Sequence, residues 1–249
     1  MTERGKWAGM LAIARFNWPF YGAALVTLIA GIFAIRVGGG FLIGGGFAIF
    51  GCGYFQIGSL GVSHWIYDCS DLYQWRWLER ALGNITIGNF ALCHSGFDEA
   101  SQMLKQKLPT VTWTILDHYD PVTMTESSIR RARMLYPPTA GTVAAPFDCW
   151  TLEDASQQAV FGLLAIHELR SEEERVAWFA EAQRCLTADG KIIIVEHVRD
   201  LANFMAFGPG YLHFHSVATW RKSWEKHGFV LHDHFRITPF VRVFVLQQS

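Results

Sequence analysis

The segment Leu186-Thr-Ala-Asp-Gly190-Lys-Ile-Ile-Ile-Val195-Glu196 decides how the fold of this chain is interpreted. Its Ala-Asp-Gly portion predicts a turn, because Asp and Gly adopt turn conformations readily. The residues that follow are β-branched and apolar on both faces, which is typical of a strand in a parallel sheet covered on both sides. We therefore expect a buried parallel strand over residues 191–196.

Strands and helices alternate on either side of this segment. Ser171-x-x-Glu174 and Thr123-x-x-Glu126 are capping boxes that predict helix starts, for helices running to Leu186 and Met134. Further helices are predicted at residues 98–107 and from Ser216 to Gly228, and strands at residues 89–94, 111–116, 159–166, 230–237 and 241–246. This alternation predicts an α/β fold with a mostly parallel sheet. The last two strands are joined only by Thr238–Phe240, which requires an antiparallel hairpin at the sheet edge.

Composition narrows the class of protein. Hydrophobic residues make up 51% of the 249 residues and charged residues 17%, which excludes a disordered chain. A net charge of −1 argues against a nucleic-acid partner, since such proteins carry a basic face. The five cysteines are scattered and include no C-x-x-C pair, which favours a reducing compartment over a disulfide framework or a zinc ribbon.

Two uncharged stretches near the N-terminus differ from the rest of the chain. They cover about residues 18–35 and 38–62 and are long enough to cross the hydrocarbon core of a bilayer. A secretory signal peptide and a pair of buried core helices are the alternatives. Small residues recur four positions apart, which favours close helix packing in lipid; they are Ala23, Thr27 and Gly31 in the first stretch, and Gly40, Gly44, Ala48 and Cys52 in the second.

The connection between the two stretches predicts the topology. Arg36–Gly40 is short enough only for a tight hairpin, so both ends of the pair lie on one side of the membrane. Arg4, Lys6 and Arg15 precede the first stretch against a single Glu3, which predicts a cytoplasmic N-terminus. We expect a multi-pass anchor in residues 1–62, in a bacterial-type inner membrane or another membrane, with residues 63–249 as a cytoplasmic domain.

The order of elements from about Tyr67 to the C-terminus resembles class I S-adenosylmethionine (SAM)-dependent methyltransferases, with Leu186–Glu196 as the most specific match. The resemblance implies a Rossmann-like sheet, SAM as cofactor and methyl transfer as the reaction. Tyr67-Asp68 is similar to a Tyr-Asp pair that precedes the domain in many small-molecule members. The first loop departs from the family pattern, because Leu92-Cys-His-Ser-Gly96-Phe-Asp-Glu99 keeps one glycine and lacks the preceding acid.

The resemblance implies a set of cofactor-binding residues. Asp117, at the end of the second strand, corresponds to the acid that accepts the ribose hydroxyls. The alternative is a solvated carboxylate that caps the next turn, with Asp120 as a rival for the ribose. The remaining members of the predicted cofactor site are Tyr67, His94, Ser95, Gly96, His118 and Asp148.

Histidines follow the predicted strands at an unusual frequency. His94, His118, His167 and His197 each lie just past the end of a strand, the edge where parallel sheets bind ligands. His167-Glu168 follows the fourth strand, and we predict these two as catalytic residues, with His167 as a general base for a hydroxyl or phenol acceptor. A metal site could use the same histidines with Asp117, Glu168 or Glu196. Their spacing matches no compact metal motif, so we assign no metal ligand.

Substrate contacts are expected from the apolar stretch between the fifth strand and the next helix. Tyr211, His213 and His215 are the predicted substrate-binding residues, and His213-Phe-His215 would place both imidazoles on one face of a strand. The combined prediction is a membrane-anchored SAM-dependent methyltransferase that acts on a lipophilic acceptor, such as a phospholipid or a quinone. The alternatives are amino transfer to a quinone from SAM, as in rhodoquinone-biosynthesis proteins, or an inactive methyltransferase-like binding subunit. The sequence indicates no oligomeric state.

Overall fold

The computed structural model describes residues 5–249 as a seven-stranded sheet with helices on both faces and an apolar helical pair at the N-terminal end. Glu3 and Arg4, which enter the charge count for topology, lie outside the described residues. The strands are β1 (Gly88–His94), β2 (Val111–Asp117), β3 (Thr142–Ala144), β4 (Gln157–Leu163), β5 (Leu186–His197), β6 (Phe229–Thr238) and β7 (Val241–Gln248).

The strand order is β3-β2-β1-β4-β5-β7-β6. The first five strands in this order are parallel to one another, and β7 pairs antiparallel with both β5 and β6. The α/β fold with an antiparallel C-terminal hairpin is therefore confirmed. Because β1, β4 and β5 are adjacent, their carboxyl ends His94, Leu163 and His197 meet at one edge of the sheet.

Nine α-helices connect or cover the strands in the described part of the chain. They are α1 (Ala8–Phe16), α2 (Trp18–Val37), α3 (Phe41–His64), α4 (Trp77–Leu82), α5 (Ser101–Lys107), α6 (Ser127–Leu135), α7 (Glu172–Cys185), α8 (Leu201–Phe207) and α9 (Val217–Glu225). A π-helical turn, Trp65–Cys69, continues α3, and 3-10 turns occur at Ile166–Glu168 and Gly208–His213. A hydrophobic cluster lies on each face of the sheet, with Trp178 in one and Phe161 in the other.

One of the two predicted capping boxes is confirmed and the other is wrong. The hydroxyl of Ser171 accepts from the amide of Glu174 at 3.0 Å, and the Glu174 carboxylate accepts from the amide of Ser171 at 2.7 Å. Thr123 instead donates its hydroxyl to Asp120. Helix α6 begins four residues later, and the side chain of its N-cap residue, Glu126, makes no capping hydrogen bond to the first turn. The Glu126 carboxylate is thereby free to reach another element.

The N-terminal pair α2 and α3 forms the predicted hairpin. Both helices are long and apolar enough to cross a membrane, by length and composition, with almost none of their apolar stretches buried. Large side chains such as Phe33 and Phe47 are 70% and 74% exposed, so the alternative of buried core helices does not match the structure. The predicted domain boundary at residues 62/63 falls inside α3, which runs on without a break to His64.

The contact between α2 and α3 uses fewer small residues than predicted. An added Cβ at Gly45 would lie 2.6 Å from the carbonyl oxygen of Gly31, and one at Gly31 would lie 3.1 Å from the Cβ of Ala48. Gly40 and Gly44 face open space, so these two positions of the predicted series are not part of the contact. The backbones of α2 and α3 contact each other where Gly31 faces Gly45, and position 45 has no room for a side chain larger than that of glycine.

A third helix, α1, precedes the hairpin and was not predicted. The buried carboxylate of Asp68 accepts hydrogen bonds from the amides of Gly9 at 2.7 Å and Met10 at 3.0 Å, in the first turn of α1. A carboxylate is favourable there because the first turn leaves amides unpaired and carries the positive end of the helix dipole. This capping bond holds α1 against the body of the protein.

The glycine contact generates a stability prediction. We expect Gly45→Ala to lower the unfolding temperature of the detergent-solubilised protein, because the new methyl group overlaps the Gly31 carbonyl and overpacking costs about 1–3 kcal/mol. Gly44→Ala is the matched control, since it adds the same methyl group one residue away into open space. Equal unfolding temperatures for the two variants, followed by circular dichroism, would contradict the predicted crossing.

Candidate functional site

A cavity of about 760 Å³ lies at the carboxyl ends of β1, β4 and β5. Its floor is polar and includes His94 and Ser95 after β1, His167 and Glu168 after β4, and His197 at the end of β5. Its roof is apolar and comes from α1, α2 and α3, with Phe16, Phe20 and Phe55 among the lining side chains. The cavity therefore connects the sheet edge, where ligands of this architecture bind, to the base of the apolar hairpin.

The loop after β1 places unpaired polar atoms in the cavity wall. Both ring nitrogens of His94 and the hydroxyl of Ser95 are buried and have no hydrogen-bond partner among the described residues. Burial lowers the pKa of His94, so its imidazole is neutral and offers one donor and one acceptor. Buried polar groups without partners are costly, so a water molecule or a polar ligand in the cavity would be held at these atoms.

Gly96 retains the backbone geometry that a glycine loop requires. Its φ is +90°, and an added Cβ would lie 2.9 Å from the ring of Tyr119. The loop therefore packs tightly onto the segment after β2. The amide N–H of Gly96 donates a hydrogen bond to Oδ1 of Asp117 at 2.9 Å.

Asp117 lies at the predicted strand end but does not line the cavity. Its Oδ1 also accepts from the amide of Tyr119 at 3.1 Å, and its Oδ2 accepts from the Arg133 guanidinium at 2.5 Å. The side chain is almost fully buried, and Arg133 stacks over the Tyr119 ring. In this geometry Asp117 closes the β1 loop against β2, so binding a ribose would require Arg133 to move.

Two further predicted cofactor residues lie away from the cavity. His118 is buried in the core, where Nδ1 donates to the carbonyl of Ala145 at 2.9 Å and Nε2 accepts from the Trp178 indole at 3.1 Å. Both of its nitrogens are bonded, which leaves none for a cofactor. Asp148 is exposed in the loop after β3. Tyr67, in contrast, lines the cavity and bonds through its hydroxyl to Nε2 of His197 at 2.9 Å.

The predicted catalytic pair belongs to a larger charged cluster. Glu196, which is fully buried near the end of β5, accepts from Nδ1 of His167 at 2.7 Å and from the amides of Ala165 and His167. On the other side, Glu168 Oε1 lies 3.4 Å from Nε2 of His167 and 3.2 Å from Nε2 of His213. The cluster therefore joins residues from the ends of β4 and β5 and from the segment before α9.

The charges in this cluster change the expected role of His167. Burial alone would lower the pKa of His167, but the Glu196 charge and the hydrogen bonds to Glu168 and Glu196 outweigh it and raise this pKa to about 10. Burial likewise opposes ionisation of Glu168, yet its bonds to His167 and His213 hold its pKa well below the usual range. His167 is thus an imidazolium at neutral pH in this arrangement and acts as a base only after losing a proton.

The predicted substrate residues are separated by the structure. His213 ends a 3-10 turn and faces the cavity, whereas His215 is buried against the carbonyl of Leu169, at 3.0 Å from its Nε2. They are not on a strand, so the prediction of one shared face is wrong. Tyr211 packs edge-to-face on Phe204 at 5.1 Å and does not line the cavity.

Sequence reasoning missed Glu126, whose carboxylate lies 3.0 Å from Nδ1 of His213. It also treated Glu196 only as an alternative metal ligand. A signal existed for Glu196, because a carboxylate that ends the run Ile-Ile-Ile-Val is buried and must find a partner. No local signal existed for Glu126, since its partner lies far away in the sequence and its own pattern resembled a helix cap.

Comparison with known proteins identifies the fold. No family model matches the sequence, and no curated protein matches it either. Among solved structures, a SAM-dependent methyltransferase from Methanosarcina mazei is 12% identical with a TM-score of 0.51, over 70% of this chain and 97% of that chain. A SAM-dependent methyltransferase from Aquifex aeolicus is also 12% identical with a TM-score of 0.51, over 73% of this chain and 94% of that chain.

A third similar structure is geranyl diphosphate C-methyltransferase from Streptomyces coelicolor A3(2), in complex with Mg²⁺, geranyl diphosphate and S-adenosyl-L-homocysteine. It is 10% identical with a TM-score of 0.51, over 71% of this chain and 78% of that chain. The chain therefore has the fold of class I SAM-dependent methyltransferases, as the sequence resemblance predicted.

The buried state of His118 predicts a pH-dependent stability. Burial lowers its pKa to about 4, whereas an unfolded histidine has a pKa of about 6.5. Only the unfolded chain takes up this proton between those values, so the stability falls as the pH is lowered from about 6.5 to 4. The difference between the two pKa values corresponds to a loss of about 3 kcal/mol in the free energy of unfolding over this pH range.

Urea unfolding of the solubilised protein at pH 7 and pH 5 measures this effect. We expect the free energy of unfolding of His118→Gln to depend less on pH than that of the wild type. His232→Gln, an exposed position on β6, is the control and should keep the wild-type dependence. A His118→Gln protein with an unchanged pH dependence would disprove the assignment.

Proposed function

We propose that this protein is a membrane-anchored SAM-dependent methyltransferase that acts on a lipophilic acceptor. The observation that carries the proposal is the shape of the cavity, which has unpaired polar groups at the end of β1 and an apolar wall formed by α1, α2 and α3. A ligand with a polar head and an apolar body matches both surfaces. Soluble acceptors would not need a wall built from a membrane anchor.

SAM matches the polar side of the cavity. The volume of about 760 Å³ is in the range of small-molecule sites, and a solved structure with this fold holds S-adenosyl-L-homocysteine. His94 and Ser95 would hold the polar groups of the cofactor, which supplies a methyl group carried on a sulfonium. These two side chains can donate and accept hydrogen bonds and make none with the described residues, although Nδ1 of His94 lies 3.4 Å from Oδ1 of Asp117.

The residues of the chain then act mainly by position. The Tyr67 hydroxyl is fixed by His197, whose Nδ1 lies 3.1 Å from the carbonyl of Phe240, so that the floor of the cavity is rigid. Alignment of a donor and an acceptor in a closed site supplies a large share of the rate in group transfer. His167 and Glu168, at the end of β4, would bind the polar part of the acceptor, with His167 donating a hydrogen bond while it remains protonated.

The apolar path to the membrane supports a lipophilic acceptor. Phe20 and Tyr21 of α2 and Phe55 of α3 line the cavity and also belong to the hairpin. Beside the hairpin, α8 exposes Leu201, Phe204 and Met205, and Tyr54 of α3 donates its hydroxyl to the carbonyl of Met205. These contacts place an exposed apolar surface beside the hairpin, where a lipid interface would cover it.

One observation favours the alternative of an inactive, methyltransferase-like binding subunit. Asp117 is fully bonded to Arg133 and to two amides, so the acid that would hold the ribose is engaged elsewhere. Measurement of SAM binding to the wild-type protein separates the two functions, because a subunit that has lost the cofactor site would not bind SAM.

Equilibrium binding of SAM to the solubilised protein, measured by calorimetry, tests the proposed cofactor site. We expect Ser95→Ala to weaken SAM binding about five- to tenfold, because a neutral hydrogen bond contributes about 1 kcal/mol. Its unfolding temperature should not fall, since the Ser95 hydroxyl has no described partner to lose. Asp148→Ala, outside the cavity, is the control and should bind SAM as the wild type does. Failure of the wild type to bind SAM would refute the proposed function.

Labelling of single cysteines in intact cells tests the topology. We propose that both ends of the hairpin are cytoplasmic. Lys6 and Arg15 precede α2, the first helix of the hairpin, and positive charges are retained in the cytoplasm. A membrane-impermeant maleimide should label Gly38→Cys from outside. It should not label Ser249→Cys until the cells are lysed. Labelling of Ser249→Cys in intact cells would reverse the orientation.

The labelling variants need a suitable background. Cys69 and Cys149 are exposed and should be replaced by serine first, so that neither reacts after lysis. The orientation of the hairpin would then be read from one introduced thiol at a time.

A further inference from the structure

The charged cluster in the cavity floor has a regular pattern of bonds. Nδ1 of His167 faces the carboxylate of Glu196 at 2.7 Å, and Nδ1 of His213 faces the carboxylate of Glu126 at 3.0 Å. The Nε2 atoms of both rings are directed to the same oxygen, Oε1 of Glu168. Each imidazole is therefore oriented by one carboxylate from behind and presents its other nitrogen to a shared point.

This pattern is the one that proteins use around metal ions. A ligating histidine almost always donates its second ring nitrogen to a carboxylate or carbonyl, which fixes the tautomer and strengthens the ligand. Here Glu196 and Glu126 take that supporting position for His167 and His213.

The distances match a metal-ligand set. His167, Glu168 and His213 each offer one ligand atom, and these three atoms lie within 4.8 Å of one another. The Nε2 atoms of His167 and His213 are 3.4 Å and 3.2 Å from Oε1 of Glu168. Bonds of about 2.0–2.1 Å at a tetrahedral angle separate neighbouring ligand atoms by about 3.3 Å. The two distances to Glu168 already match this spacing, and side-chain rotation would have to bring the two imidazole nitrogens to the same separation around a central ion.

We propose that His167, Glu168 and His213 form a binding site for one divalent transition-metal ion of the Zn²⁺ type. Two imidazoles and one carboxylate are a ligand set of catalytic zinc sites, which leave a position open. Three carboxylates surround the two imidazoles and outnumber the single guanidinium of Arg170, which lies 3.5 Å from Nδ1 of His213, so a dication meets a net negative charge. The sequence spacing had indicated no metal ligand, because His213 lies far along the chain from His167.

The open position would face the cavity, since all three ligands and Glu126 line it. A water molecule or an oxygen atom of the acceptor would occupy that position. The ion would replace the proton on the ligating nitrogen of His167, so the acceptor oxygen would then contact the ion in place of the hydrogen bond from His167. Binding of an acceptor oxygen at this position rests on the proposed function, because the proposed function is what brings an oxygen-bearing acceptor into the cavity. Binding of the metal itself requires neither SAM nor the acceptor.

The experiment is a titration of the full-length, detergent-solubilised protein with Zn²⁺ after chelator treatment, in the absence of SAM. We expect calorimetry to give one ion per chain, and Co²⁺ in place of Zn²⁺ to give the visible absorption of a four- or five-coordinate ion. His213→Asn should remove stoichiometric binding at micromolar Zn²⁺. Glu126→Gln, which keeps all three ligands, should weaken binding about 10–100-fold.

A matched control guards against binding by surface histidines. His232→Asn changes an exposed histidine on β6 and should bind Zn²⁺ as the wild type does. Near-UV circular dichroism of each variant verifies that it is folded, and Glu126→Gln alters a half-exposed side chain that folding tolerates. Absence of one-to-one binding to the wild type, or unchanged affinity in folded His213→Asn and Glu126→Gln, would overturn the metal site. Loss of SAM binding alone would leave it standing.

Discussion

The capping of α1 by Asp68 is the interaction on which the site depends. The Asp68 carboxylate is fully buried, accepts two amide hydrogen bonds from α1, and lies 2.9 Å from Nδ1 of His64 at the end of α3. A buried carboxylate without these partners would be strongly unfavourable, so α1 and α3 must stay together at this point. Asp68 therefore holds the start of α1 in the roof of the cavity, and the guanidinium of Arg131, which donates to the carbonyl of Phe16, holds its end.

The Asp68 contact joins two parts of the chain with different surfaces. The hairpin exposes apolar side chains along its length, whereas the sheet edge collects histidines and carboxylates. Because α3 continues through Trp65–Cys69 directly into the body, the apolar wall and the polar floor keep a fixed relation. Tyr67 belongs to the same turn and bonds to His197 on the floor. Two adjacent residues thus connect the hairpin to its surroundings: Tyr67 bonds to the floor of the cavity and Asp68 bonds to α1.

The fold was predictable because its signals are local. Capping by Ser171 and Glu174, the apolar run 191–195 and the short link Thr238–Phe240 each depend on neighbours in sequence. The site was predictable only in part. Strand ends placed His94 and His167 correctly at the sheet edge, but α1 has no distinct sequence signal apart from an unremarkable apolar pattern. Its cap, Asp68, is almost sixty residues away, as is usual for tertiary contacts.

The four histidines at strand ends show why position alone does not define a role. His118 has both nitrogens bonded inside the core and stays neutral, while His94 is also buried but makes no hydrogen bond among the described residues, its Nδ1 lying 3.4 Å from Oδ1 of Asp117. His197 is neutral because burial lowers its pKa to about 4, whereas the carboxylates beside His167 raise its pKa to about 10. The sheet brings these residues to one edge, and the partners supplied by other elements decide their chemistry. The imidazole of His94, whose pKa burial lowers, is therefore a neutral group in the cavity wall, whereas the imidazole of His167 between two carboxylates is a charged centre.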